Sequence, residues 1–200
     1  MVSGADAVSV VLTHGHRDHA GAAVSLADAT GAPVVGPSSV ADVTAPIEDG
    51  GTVDTDAGEL LALHTPGHTE DHLCYHWGAK GALFAGDLLL GQGDTTWVAE
   101  YPGCVADYLA SLERVRALAP TVIYPAHGPP LEAAAQALDR FEAHRRERIG
   151  QTRAAMAEHP DADIEALLDA VYGDTLPRGV RKAARRSLSA LVEYVRTHDA

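Results

Sequence analysis

The chain has 200 residues, 46% of them hydrophobic and 22% charged, a soluble globular composition with enough length to bury a core without disulfide or oligomer support. No run of eighteen or more apolar residues is present to span a bilayer, so no membrane partner is expected. The formal net charge is −13 and unevenly spread: residues 1–139 hold four basic and eighteen acidic side chains, net −14, whereas residues 140–200 hold eleven and ten, net +1. An acidic body with an Arg-rich tail follows. Cys74 and Cys104 are too few for a disulfide framework and form no Cys-x-x-Cys pair, which points to a reducing, cytoplasmic setting. The opening residues lack the basic leader and apolar stretch of a secretory signal.

In chain order, the β-branched run Val8–Val11 predicts a buried strand that ends in Thr13-His14-Gly15-His16. The alanine-rich stretch Asp18–Ala29 predicts a helix, stopped by Gly31-Ala32-Pro33 before a strand at Val34-Val35. Residues 36–60 read as loop. Strands are predicted at Leu60–His64, Leu73–Trp77 and Ala82–Phe84, the last two joined by a turn at Gly78–Gly81. Apolar spacing predicts a helix over Tyr101–Leu118, followed by a strand at Val122–Tyr124. From there the pattern is helical only: Leu131 to about Glu158, Ile164–Tyr172 and Gly179–Thr197, punctuated by Pro160 and Pro177. The elements define an α/β class with a body over 1–139 and a small helical module over 140–200.

Strand ends deliver the chemistry. His14, His16, Asp18 and His19 follow the first strand, His68 follows Thr65-Pro66-Gly67, Asp87 follows Gly86, and His127 follows Pro125-Ala126. Imidazole and carboxylate suit zinc, manganese or iron at neutral pH, and a loop at a strand end is stiff enough to hold them. His72, four residues past His68, is a candidate for a role behind these ligands or facing substrate, and the reserve ligand. His64 and His76 fall within strands and read as structural, His144 as part of a solvated helix face with the mouth of the site as its alternative, and His159 and His198 as surface. Gly91–Thr96 lacks the Gly-Lys-Ser/Thr ending of a phosphate-binding loop and reads as a loop near the metal ligands. Cys104 reads as a small packed residue.

The segments Thr13–His19, Thr65–Thr69, Gly86-Asp87 and Pro125–Gly128 resemble, in order, those of the metallo-β-lactamase superfamily. Gly67–His72, Gly91–Thr96 and Ala143–Arg148 are similar to the branch that contains beta-lactamase-like protein 2. The resemblance implies an αββα sandwich with two divalent metal ions at one edge and a C-terminal winged-helix-like module. It further implies one metal on His14, His16 and His68, a second on Asp18, His19 and His127, and Asp87 bridging both, with Asp18 and Asp87 also taking part in catalysis. Zinc is the first expectation for both ions, and a hydroxide between them would be the nucleophile.

In such proteins several strands precede the His-rich loop, the last ending in an acidic residue. Only about a dozen residues do so here, so an incomplete first sheet is expected, with an exposed edge and apolar face. The leading functional expectation is hydrolysis of a small-molecule ester or thioester. Cleavage of single-stranded RNA is the alternative, supported by tail arginines such as Arg145 and Arg146 but opposed by the acidic body and scarce aromatics. A third reading is an inactive metal-binding fragment or interaction module. The oligomeric state is not legible.

Overall fold

The computed structural model describes residues 9–173 and 176–199, so Val8 of the first predicted strand lies outside the described residues. Two sheets form the centre. The first is parallel, in the order β1 (Val10–Val11), β2 (Val34–Gly36), β3 (Ala45–Pro46). The second has the order β4 (Thr52–Thr55), β5 (Gly58–His64), β6 (Leu73–Trp77), β7 (Ala82–Gly86), β8 (Val122–Pro125). Its pairs are antiparallel except β7–β8. That parallel pair needs a crossover, which α3 (Cys104–Ala117) supplies.

Most predicted elements coincide with the observed ones, and two readings are corrected. The helix over Asp18–Ala29 is two helices, α1 (Arg17–Ala20) and α2 (Ala23–Thr30). They are separated where Gly21 closes the first turn and Ala22 sits at φ −108° and ψ −2°, outside regular helix geometry. The stretch read as loop contains β3 and β4. In β4 Val53 alone is buried between exposed Thr52 and Asp54, a period of two over too few residues to stand out from its glycines and prolines.

The layers follow from where apolar side chains point. Leu12 and Val34 pack on Ala20 and Ala23 of α1 and α2. Ile47 of the first sheet's side meets Val53, Ala62, Leu73 and Tyr75 between the sheets. On the far face Leu63, Leu83 and Ile123 pack against Val105, Tyr108, Leu112 and Val115 of α3. Together these give the expected αββα sandwich. Among the described residues, the three strands of the first sheet leave part of the second sheet's inner face open. Phe84 is half-buried, Tyr124 is 40% exposed, and a cavity of about 410 Å³ lies between Leu12, Tyr75, Phe84 and Tyr124.

Three helices follow among the described residues: α4 (Ala134–Glu158), α5 (Ile164–Tyr172) and α6 (Arg178–His198). Asp163 caps α5 by accepting from the Ala166 N–H at 2.9 Å, which fixes where the helix begins. No strand follows β8 among the described residues. The residue 139/140 boundary falls inside α4, whose first half sends Ala134, Ala137, Leu138 and Phe141 into the core of the second sheet, where Leu191 and Val195 of α6 join them. Ala155, Leu167, Leu168, Leu188 and Val192 form a smaller core among the helices themselves.

Leu112 is fully buried between α3 and the second sheet. Leu112→Ala removes packed methyl groups that neighbours cannot fully replace, and is expected to cost about 2–5 kcal/mol in chemical denaturation.

Candidate metal centre

All the donor-bearing loops leave C-terminal ends of strands. β1 runs through Thr13 into His14 and His16, and the next turn is α1, which carries Asp18 and His19. The loops after β5, β7 and β8 bring His68, Asp87 and His127. Two glycines let these loops close on one another. Gly67 has φ +137°, and a Cβ there would stand 2.6 Å from the Tyr108 side chain. Gly86 has φ +50°, and its Cβ would lie 2.6 Å from His72 Nε2 and 2.8 Å from Thr13 Oγ1. Both positive φ and lack of space require glycine at these points.

The seven predicted donors meet in one place. His14, His16 and His68 offer ligand atoms within 4.8 Å of one another, as do His14, His19 and Asp87, and Asp18, His19 and His127. His68 Nε2 lies 3.0 Å from His16 Nδ1 and 3.5 Å from Asp87 Oδ2. His127 Nε2 lies 3.3 Å from His19 Nε2 and 3.3 Å from Asp18 Oδ2. Asp87 reaches both sides: Oδ2 is 3.4 Å from His19 Nε2 and Oδ1 is 3.6 Å from His127 Nε2.

These spacings suit cations. Ligand atoms about 2 Å from a tetrahedral centre stand about 3.4 Å apart, the range seen here. Moreover, His14 Nε2 and Asp87 Oδ1 are buried without a hydrogen-bond partner among the described residues, although buried polar atoms are rarely left so. A cation would satisfy both. The cluster is deep at one end and open at the other: His14 is fully buried, while the side chains of Asp18 and His127 are 62% and 51% exposed. A substrate would therefore reach it from the Asp18 and His127 side.

Hydrogen bonds fix the state of the inner rings. His68 Nδ1 donates to the Trp97 carbonyl at 3.0 Å, leaving the Nε2 lone pair aimed at the cluster. His72 is fully buried and stands behind the donors. Its Nε2 accepts from the Asp87 N–H at 3.1 Å, so Nδ1 carries the proton and donates to Thr65 Oγ1 at 3.0 Å. Both nitrogens are thus engaged, and the ring anchors the backbone from which the Asp87 carboxylate projects. The Thr96 hydroxyl adds a second tie to this residue by donating to the Asp87 carbonyl at 2.7 Å.

Burial, followed by the neighbouring His19, His68 and His16, pushes the His14 pKa down to about 3. Burial likewise holds His68 below its ordinary value and His72 well below it. These rings are held neutral, the form that ligates metal. Asp18 is shifted down first by a hydrogen bond from its own backbone N–H, then by His19 and His127.

The tail requires correction. Arg145, read as part of a polyanion-binding set, is only 3% exposed and points into the body. His144 is half-buried, with Nε2 3.9 Å from Asp94 Oδ1. Period and composition alone could not separate these residues from a solvated face, because the loop that covers them is far away in sequence.

The metallo-beta-lactamase superfamily model matches residues 2–46 and 36–127, and the chain belongs to that superfamily. It is 30% identical over 192 residues to a beta-lactamase-like protein 2 homolog of Caenorhabditis elegans, covering 92% of this chain and 63% of the relative. An atrochrysone carboxyl ACP thioesterase of Aspergillus fumigatus is 28% identical over 194 residues, covering 88% of this chain and 44% of the relative. The chain thus spans less than two thirds of the length of these curated relatives. A metallo-beta-lactamase family protein from Thermus thermophilus shares the fold with a TM-score of 0.79 at 22% identity, covering 98% of this chain and 76% of that one.

In metal-free protein the buried neutral histidines set a pH dependence. Unfolded histidine binds its proton near pH 6.5, whereas folded His14 does so only near 3. Stability is fully present above about pH 6.5 and lost as pH falls from there towards 3, because the unfolded chain takes up more protons. Urea midpoints in chelator across this range are expected to fall steadily with acidification, and His14→Phe should flatten the slope.

Proposed function

We propose that the chain is a metal-dependent hydrolase that cleaves an ester or thioester bond in a small-molecule substrate, using two divalent cations. The single observation carrying this reading is the convergence of His14, His16, His68, Asp18, His19, His127 and Asp87, with His14 Nε2 and Asp87 Oδ1 buried and unpartnered. One cation would be held by His14, His16 and His68, the other by Asp18, His19 and His127, and Asp87 would serve both. Zinc is the first choice for a nitrogen-rich, sulfur-free set, with manganese and iron as alternatives. When bound, such a pair supplies a water ionised near neutral pH and a positive charge to polarise the scissile carbonyl.

The protein's own part is to hold donors neutral and fixed, and to admit substrate at the exposed Asp18 and His127 end. His68 and His72 are locked in one tautomer each, and Thr96 and His72 hold the Asp87 backbone from both its polar groups. We place the chemistry in the body, residues 1–139, with residues 140–200 as an accessory helical module in a cytoplasmic protein. A thioesterase-named relative favours the thioester among carbonyl substrates.

The tail gives less support to RNA cleavage. Arg146 pairs with Glu142, Arg153 with Asp199, and Arg181 with Glu165 and Asp169, and Arg145 is buried. The first three are paired within the protein and the fourth is buried, so none is arrayed for phosphates.

Purified protein is expected to carry about two divalent ions per chain by elemental analysis and to hydrolyse acyl thioesters. Asp87→Ala should abolish that turnover and lower ion occupancy while leaving helix content unchanged. Folded wild-type protein that retains no ion at micromolar free zinc would overturn the reading.

A further inference from the structure

The segment between β7 and α3 touches both halves of the donor cluster, and the helical tail holds that segment. Thr96 ties to the Asp87 carbonyl, and the next residue, Trp97, accepts the His68 Nδ1 proton. From α4, Arg145 Nη2 donates to the Thr96 carbonyl at 3.1 Å, and its guanidinium lies over the Tyr108 ring, 5.1 Å from the centroid. From α6, Arg186 stands 5.4 Å from the Trp97 ring centroid, and Glu193 accepts from the Gly103 N–H at 3.0 Å.

Arg145 is an unusual choice for a merely structural position. Its side chain is almost wholly buried, its Nε lacks a partner, and no carboxylate pairs with it among the described residues. Burying a cation without a counter-ion is costly. A leucine or methionine would fill the same space against Tyr108 without that cost. What an apolar residue would not provide is a donor to the Thr96 carbonyl, one residue from the carbonyl that sets the His68 tautomer.

We propose that Arg145 is a positioning residue for the metal centre, holding the Thr96-Trp97 segment so that the Trp97 carbonyl keeps His68 in its Nδ1–H form with Nε2 free to ligate. The helical module thereby acts on the site from behind, through backbone carbonyls. This rests on the reading of His68 as a metal ligand, but the tautomer can be measured without any metal.

The experiment uses full-length protein with ¹⁵N-labelled histidine, first stripped of metal, then titrated with Co²⁺ against a competing chelator. Wild type is expected to show His68 as the Nδ1–H tautomer. Arg145→Met should mix in the Nε2–H form and weaken Co²⁺ binding at the more weakly held site by about 10–100-fold, the usual effect of losing a group that orients a ligand. Arg145→Lys keeps the cation but not the planar fork and should give a smaller change of the same sign. Arg153→Met, which removes only the ion pair to Asp199, should alter neither. An unchanged His68 tautomer with Co²⁺ affinity within about threefold of wild type in folded Arg145→Met would overturn the proposal. If that variant does not fold, the same result in Arg145→Lys would overturn it. Failure of wild type to bind Co²⁺ would instead defeat the proposed function, leaving the tautomer comparison to judge the role of Arg145.

Discussion

Five imidazoles and two carboxylates occupy one end of this sandwich, and their mutual proximity governs much of what surrounds them. Facing ring nitrogens stand only 3.0–3.3 Å apart, and two buried ligand atoms have no hydrogen-bond partner among the described residues. Such a cluster is poorly satisfied alone, and its natural complement is positive charge that is not a proton. The loops are consequently tight where they approach it. Gly86 lies against His72 and Thr13, Gly67 against Tyr108, and the outer hydrogen bonds leave little choice of ring orientation.

This arrangement links the two parts of the chain. The acidic body supplies every donor, but the segment that aligns His68 is braced by residues from α4 and α6. The first half of α4 belongs to the same apolar core as α3 and the second sheet, while its second half belongs to the core among the tail helices. One continuous helix therefore couples packing in the tail to order near the donors. The compositional change near residue 140 marks a change of surface charge more than a break in structure.

Much of this was legible from sequence because the informative residues are local. Strands β5, β6 and β7 are compact apolar runs, and α5 covers the apolar stretch Ile164–Tyr172. The donors lie in short motifs immediately after strands, so their types were legible there, and the resemblance those motifs carry implied how they group. Less legible were features set by distant partners. The strand β4 shows a single buried position, and Gly21 divides a stretch whose alanines favour a helix throughout. Burial of Arg145 depends on a loop some fifty residues earlier, and the tautomer of His72 depends on the Asp87 backbone. Neither leaves a periodic signal.

The open inner face beside β1 has a consequence for how this fold meets its surroundings. Trp77, Phe84 and Tyr124 form a stacked file across β6, β7 and β8, with ring centroids 6.5 and 5.5 Å apart. These aromatic faces are partly exposed together along one flank. The abundance of carboxylates in the body then gains a colloidal role: like-charged molecules repel before such flanks can meet.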